Sequence, residues 1–217
     1  MDMAVSDKPK SKTGKMILAL IVGGLAGFFA ALGFMQLVKS GVLGEFTTSQ
    51  EIAGLVGIIY VLTALSVTVG LVNPSLGARF LNVEDADELR EQHRALSWSA
   101  GGMIALGFAL LLATVGAPGG PVSPVVALVG VVALVGFAWF AGYRQRRHTD
   151  ELMKSVSGEA TSTAFYLAFL IGGGWALLAH LELVVAPAPL DWLTMFAGFL
   201  MLSCFIVAGK RGMLKQR

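Results

Sequence analysis

The chain of 217 residues is too apolar for an ordinary soluble domain: 55% of its residues are hydrophobic and 14% are charged, whereas about a quarter are charged in soluble proteins. Its mean hydropathy of +0.73 predicts an integral membrane protein. A net charge of +2 is too small to indicate a nucleic-acid partner, and the one cysteine, Cys204, excludes an intramolecular disulfide and a cysteine metal cluster.

Six long apolar runs predict six transmembrane helices, since each is close to the roughly 20 residues that cross a bilayer. The predicted spans cover residues 16–38, 52–72, 95–115, 124–143, 160–181 and 192–209. A flexible arm of residues 1–15 is expected before them, and a basic tail of residues 210–217 after them. The predicted fold class is therefore an all-α, six-helix transmembrane bundle.

The first span carries Gly23 and Gly27 in a GxxxG pattern. Two glycines at this spacing let another helix backbone approach closely. We expect them to serve ordinary packing inside the bundle, with a dimer interface as the alternative.

Start and stop signals frame the second span. Thr48 and Glu51 are spaced as in a capping box, and the helix should stop at Asn73, because the residue before a proline is pushed out of the helical region. Thr63 and Ser66 share one face of this helix. We expect their hydroxyls to bond to backbone or to a neighbouring helix, and the alternative is that they line a polar path.

The longest polar connection, residues 74–94, holds a charged segment that predicts a short helix starting near Asn82. Acidic residues come first and basic residues last, as the helix dipole favours. The candidate partner-docking residues are Glu84, Asp87, Glu88, Arg90 and Arg94. A solvated charged face is the favoured interpretation, with Leu89 and Leu96 turned towards the bundle or the membrane surface.

Capping signals also precede the fourth and sixth spans. Ser123 followed by Pro124 predicts an N-cap with proline at the first helical position. Asp191 is the expected cap of the sixth span.

The fifth span carries a ladder of small residues at four-residue spacing, which places them on one helical ridge. These residues are Ala160, Ala164, Ala168, Gly172 and Ala176. Such a ridge predicts close helix packing, so we expect this span at the centre of the bundle. Gly172→Leu should then damage assembly more than Gly130→Leu, because Val126 and Leu134 would hold a neighbouring backbone away from Gly130.

His180 is the one histidine inside a predicted span and the candidate cofactor ligand. It could ligate a haem or chlorin, or simply hydrogen-bond a neighbouring helix, and the second interpretation is favoured because a bis-histidine haem would need a histidine from another chain. Glu182 lies two residues on, about 200° around the helix. The two side chains therefore do not converge on one ligand, and no cofactor is expected.

The basic residues set the expected orientation. If the amino terminus is cytoplasmic, every one of the sixteen Lys and Arg residues except Lys39 faces inward. The positive-inside rule then predicts both termini in the cytoplasm. A multi-pass protein of the cell inner (plasma) membrane is expected.

No motif for a nucleophile, paired intramembrane aspartates or metal ligands occurs in the sequence, so an enzyme is not expected. The favoured function is a non-catalytic accessory, scaffolding or assembly subunit of a larger membrane complex. A small-solute transporter or channel is the alternative, with residues 172–174 as its plausible helix break. A haem- or pigment-binding subunit that uses His180 is the least favoured of the three hypotheses. The expected partners are the lipid bilayer and other membrane subunits, or self-association, and not nucleic acid.

Overall fold

A computed structural model describes residues 12–80, 86–117 and 120–213 of the chain. Within these ranges there is no β-strand, and six helices are long and apolar enough to cross a membrane. The predicted all-α, six-helix transmembrane bundle is therefore confirmed. The helices are α1 (Lys12–Lys39), α2 (Thr48–Val72), α3 (Pro74–Phe80), α4 (Ala86–Glu91), α5 (His93–Val115), α6 (Pro124–Arg146), α7 (Glu151–Leu167), α8 (Gly173–His180) and α9 (Pro189–Lys210), with a π-helical segment at Ala168–Gly172 between α7 and α8.

The six spans are α1, α2, α5, α6, the continuous α7–α8 segment and α9. One end of the bundle carries Arg146, Lys154 and Arg211, and we call it the basic end. The opposite end, called the far end, is where Gln50 of α2 reaches the last turn of α5 and Ser49 reaches α9.

The second and third spans, α2 and α5, lie at the centre of the bundle and pack along each other. Helix α2 also touches α1 and α9, and α5 also packs along α6 and touches α9. A Cβ built on Gly107 of α5 would lie 2.8 Å from the carbonyl oxygen of Gly57 of α2, and one built on Gly57 would lie 2.9 Å from the carbonyl oxygen of Gly107. The two backbones approach so closely that only glycine fits at their crossing.

The expected central position of the fifth span is wrong. The fifth span packs chiefly against α9, and these two form one helix group, while α1, α2, α5 and α6 form the other. Helix α9 joins the groups by contacting α2 and α5. The positions of the small residues explain this difference. Small residues on two faces of α5 let neighbouring helices come close. The fifth span has small residues along one face and exposes large side chains such as Phe165 and Phe169 on its other faces.

The capping box of α2 lies one residue earlier than expected. Thr47 is the N-cap, its hydroxyl accepts the Gln50 N–H at 3.3 Å, and the Gln50 side-chain oxygen accepts the Thr47 N–H at 2.8 Å. Gln50 also donates from Nε2 to the carbonyl oxygen of Thr114, at 2.9 Å. An amide can donate and accept hydrogen bonds at the same time, whereas an ionised carboxylate only accepts them. The amide of Gln50 can therefore make both contacts, which a carboxylate such as that of Glu51 could not make.

The other two expected caps have different outcomes. Ser123 is the N-cap of α6, with Pro124 at the first helical position, as predicted. Asp191 is the third residue of α9 instead of its cap: its carboxylate accepts the N–H of the true N-cap, Ala188, at 2.6 Å, and the hydroxyl of Ser49 donates to it at 2.5 Å. The helix starts earlier because Pro189 is suited to the first helical position.

The helix of the fifth span begins at Glu151, well before the predicted span at residue 160. Asp150 caps it, because its carboxylate accepts the Met153 N–H at 2.7 Å. The π-helical segment Ala168–Gly172 lies immediately before the expected break at residues 172–174. The chain continues as a helix through this point, with one wider turn in place of a break.

Candidate functional site: assembly surfaces and a cleft between the helix groups

The small ridge of the fifth span faces the sixth span. Ala160, Ala164, Ala168 and Gly172 are buried, whereas Ala176, beyond the π-helical segment, is half-buried. A Cβ built on Gly172 would lie 2.9 Å from the Trp192 ring and 3.3 Å from the Met195 methyl group. The ridge is therefore already covered within the chain, by side chains of α9.

The expected contrast between Gly172 and Gly130 has no basis in the geometry. A Cβ built on Gly130 would lie 2.4 Å from a terminal methyl carbon of Leu112. Gly130 therefore packs against α5, and Val126 does not hold that helix away because its own side chain is exposed. Each glycine meets the end of a side chain, so neither substitution is clearly the worse.

The first-span glycines have no packing partner among the described residues, so the favoured expectation of internal packing finds no support there. A Cβ built on Gly23 or on Gly27 would meet no described atom within 4 Å. The span touches the bundle near its other end, where the Phe34 ring lies 2.2 Å from the position of a Cβ on Gly54. In the 18-residue apolar window of this span 6% of the residues are buried, against 28% in that of α2 and 33% in that of α5.

The charged segment before the third span is attached through an apolar side chain. Leu89 is buried, and one of its methyl carbons lies 2.8 Å from the position that a Cβ on Gly77 would occupy. Asp87 and Arg90 form an exposed ion pair with 2.5 Å between its closest atoms, and Arg94 is exposed. The remaining members of the predicted docking set, Glu84 and the side chain of Glu88, lie outside the described part of the chain.

His180 is an exposed residue at the last position of α8, at the far end of the bundle. The two other histidines, His93 and His148, lie at the basic end. Glu182 follows in the turn with a φ of 58°, and that turn is held by the Trp175 indole, which donates to the Val185 carbonyl oxygen at 2.8 Å. Nothing in the described chain converges with His180 on a shared ligand.

A cleft of about 730 Å³ separates the two helix groups at the basic end. Helices α5 and α6 form one wall, and α7 and α9 form the other. Its apolar floor includes Met103, Leu106, Leu200, Met201 and Phe205. A second, apolar cavity of about 240 Å³ continues from Tyr60, Leu106 and Leu200 towards the far end, reaching Ala113 and Leu193.

The rim of the cleft is polar and basic. Gln145, Arg146, Thr149, Lys154 and Ser157 line it, and none of the described lining residues is an aspartate or glutamate. The Lys154 ammonium lies 2.7 Å from the Glu151 carboxylate, which is 91% exposed. Such a solvated pair contributes little energy, and Arg146 has no hydrogen-bond or ion-pair partner among the described residues, so both cations are available to an anionic group.

Arg144 and Arg147, the arginines nearest to Arg146 in the sequence, already contact other side chains of the protein. The Arg144 guanidinium lies 5.5 Å from the centre of the Trp98 ring and 5.9 Å from that of Phe140. Arg147 donates to the Tyr143 hydroxyl and lies over its ring. Of the three arginines at the end of α6, Arg146 alone lines the cleft.

Several polar contacts between spans carry no signal in the sequence. The Tyr60 hydroxyl of α2 donates to the Ala197 carbonyl oxygen of α9 at 2.8 Å. At the basic end, Arg211 donates to the Glu159 carboxylate at 2.8 to 2.9 Å and to the Ser155 hydroxyl at 3.2 Å, tying α9 to α7. These pairs are far apart in the chain, and a spacing pattern cannot reveal them.

The second-span hydroxyls bond within their own helix. Thr63 donates to the Ile59 carbonyl oxygen at 2.8 Å, and Ser66 donates to that of Thr63 at 2.7 Å.

In the described ranges, no three His, Cys, Asp or Glu residues are grouped so as to hold a metal ion. The chain matches no protein-family model, no curated protein sequence and no solved structure.

Proposed function

We propose that the protein is a non-catalytic accessory or assembly subunit of a larger membrane complex, and that its first span is the helix that binds the next subunit. One observation carries the proposal: in the half of this span that contains Gly23 and Gly27, no atom of the described residues lies within 4 Å of the position that a Cβ would occupy. Glycines at this spacing are useful where another backbone comes close. No backbone in the described part of the chain does so here.

The way the span is attached supports the same role. Among the residues whose burial is described, from Ile21 onward, the buried ones are Phe34, which packs against Gly54, and Val38. Between Ile21 and Gly33 the helix presents Leu25, Phe28 and Phe29 with half or more of each side chain exposed. This stretch is therefore open to a partner span, while the stretch that follows it is attached to the bundle.

The polar groups of the interior favour assembly over small-solute transport. The hydroxyls of Thr63 and Ser66 are occupied by carbonyl groups of their own helix, and the cleft continues towards the far end between apolar side chains. Solute pathways use broken helices or buried ionisable groups near mid-membrane. The π-helical segment, an irregular point among the described spans, keeps the helix continuous.

We propose that the protein lies in the plasma membrane with both termini in the cytoplasm. The positive-inside rule supports this orientation, because it puts the basic end inside. The proposed role is non-catalytic, and the described lining of the cleft, which holds no carboxylate and no histidine, offers no general base of either kind.

The test is the double substitution Gly23→Leu with Gly27→Leu, followed by gentle extraction from the native membrane and identification of what remains bound. The described residues leave both positions open, so the melting temperature should stay unchanged while the partner, or the second copy, is lost. The mass of the detergent-solubilised particle distinguishes a hetero-complex from self-association.

Gly33→Leu is the matched control. Gly33 lies on the same helix and is equally open, and six residues from Gly27 place it about 120° away around the helix. It should leave the complex intact. A wild-type protein that purifies alone as a monomer, or a double variant that keeps its partner, would overturn the proposal.

A further inference from the structure

We propose that the cleft between the helix groups binds one anionic phospholipid of the leaflet at the basic end, with its phosphate between Arg146 and Lys154 and an acyl chain along the apolar floor. This inference does not rest on the role proposed for the first span. It concerns different residues and a different end of the molecule.

The charges on the rim select the headgroup. Arg146 and Lys154 come from opposite walls, α6 and α7, and both line the cleft. Arg146 has no protein partner among the described residues, and the partner of Lys154 is a carboxylate that is itself almost wholly in solvent. Basic pockets between transmembrane helices on the cytoplasmic side are suited to phosphate headgroups.

The interior of the cleft suits an acyl chain. It descends along α5 from Trp98 to Leu106, which is about 12 Å at 1.5 Å per residue, and the apolar cavity extends it to Ala113, roughly another 10 Å. Half of a bilayer's hydrocarbon core is about 15 Å thick. A chain that starts at the headgroup level therefore stays inside the cleft for the depth of its leaflet.

The indole of Trp98 fits the boundary between these two regions. Trp98 is half-buried in the cleft wall, its ring packs edge-on against Phe140 with 5.6 Å between centroids, and its N–H has no acceptor among the described residues. Tryptophan is favoured at the level of lipid headgroups because one end of its side chain is apolar and the other donates a hydrogen bond. A lipid ester or phosphate oxygen at the rim would be such an acceptor.

A lipid matches the lining of the cleft better than a partner helix does. The described rim residues include two cations and no carboxylate, and the floor below them is apolar. An anionic phospholipid carries its charge and its apolar chains in the same order.

The experiment uses full-length protein in detergent, stripped of lipid and titrated with phosphatidylglycerol or phosphatidylcholine, with bound lipid counted by native mass spectrometry. Wild-type protein should retain one phosphatidylglycerol in preference to phosphatidylcholine. The double substitution Arg146→Gln with Lys154→Gln should weaken phosphatidylglycerol binding about 30-fold, since each cation near a headgroup contributes roughly a factor of five.

The matched control removes the same charge from the same end. Arg147→Gln with Lys210→Gln changes two exposed cations that do not line the cleft, and it should alter binding less than about threefold by screening and distance. If the two double variants lose affinity equally, the binding is general surface electrostatics and the proposal is wrong.

A second variant tests the apolar part independently. Met103→Trp narrows the floor of the cleft while leaving both cations in place, and it should abolish retention of the lipid. Cys204, the one cysteine of the chain, also lines the cleft, so its reaction with a maleimide should slow when phosphatidylglycerol is bound. Equal binding of both phospholipids, full retention by Met103→Trp, or saturable binding of inorganic phosphate that displaces the lipid would each overturn the proposal.

Discussion

The crossing of α2 and α5 should tolerate an added side chain poorly, and Gly107→Ala is the substitution that tests it. A Cβ at position 107 would lie 2.8 Å from the Gly57 carbonyl oxygen, 2.8 Å from a Val61 methyl carbon and 3.1 Å from the Tyr60 Cβ. Two of these three atoms belong to a backbone or to the root of a side chain. The helices can therefore accept the methyl group only by moving apart.

Gly101→Ala is the control on the same helix. A Cβ there would come no closer than 3.8 Å to another atom, the edge of the Phe137 ring. Both substitutions gain about 1 kcal/mol of helix propensity, so this contribution cancels in the comparison. What remains is the overpacking at position 107, about 1–3 kcal/mol.

Thermal unfolding of the two variants in the same detergent measures the difference. At about 2–4 °C per kcal/mol for a chain of this size, Gly107→Ala should melt several degrees below Gly101→Ala, and Gly101→Ala should melt at or slightly above wild type. A Gly107→Ala variant as stable as Gly101→Ala would refute the inference that these backbones are in contact.

The partner glycine sharpens the test. Gly57→Ala inserts a methyl group 2.9 Å from the Gly107 carbonyl oxygen, so it should be destabilising to a similar degree. Combined with Gly107→Ala, it should cost less than the sum of the two single changes, because helices already pushed apart by one methyl group accommodate the second more easily. Additive losses would mean that the two sites do not share one contact.

Three further predictions follow from single contacts and from the charge distribution. Gln50→Leu should destabilise the protein by about 1–3 kcal/mol in the same melting assay, because it leaves a carbonyl group of α5 and the α2 cap without their partner, while Gln36→Leu, an exposed change, should have little effect. Ser203→Ala should leave stability unchanged or raise it by about 1 kcal/mol, since the buried Ser203 hydroxyl has no hydrogen-bond partner among the described residues; a clear loss would mean that the hydroxyl is bonded. In a cysteine-free background, His148→Cys should react with a charged thiol reagent only from the cytoplasm and Val185→Cys only from outside, and the reverse pattern would contradict the proposed orientation.

The helices could be predicted from the sequence because the apolar runs and capping residues that form them are local signals. An apolar run of about 20 residues must satisfy its own backbone in lipid, and a helix is the way to do so within one segment. The cap at Ser123 works in the same way, since a side chain a few residues away satisfies an exposed N–H group. The expected caps at Thr48 and Asp191 are off by a few residues. At α2 the capping Gln50 also bonds to Thr114, far along the chain, and α9 starts early because Pro189 suits the first helical position.

Which helix lies at the centre was decided only by the tertiary structure. The small residues from Ala160 to Gly172 form a more regular sequence pattern than Gly57 and Gly107 do. Yet Gly57 and Gly107 are the residues at which two central helices cross closely. Their fit exists only when α2 and α5 lie side by side. The cleft has the same origin: Arg146 and Lys154 belong to different helices, and Met103 and Met201 line it from the two helix groups. A sequence specifies each helix face by its own period, but helices pair according to which faces fit, and that fit depends on both partners at once.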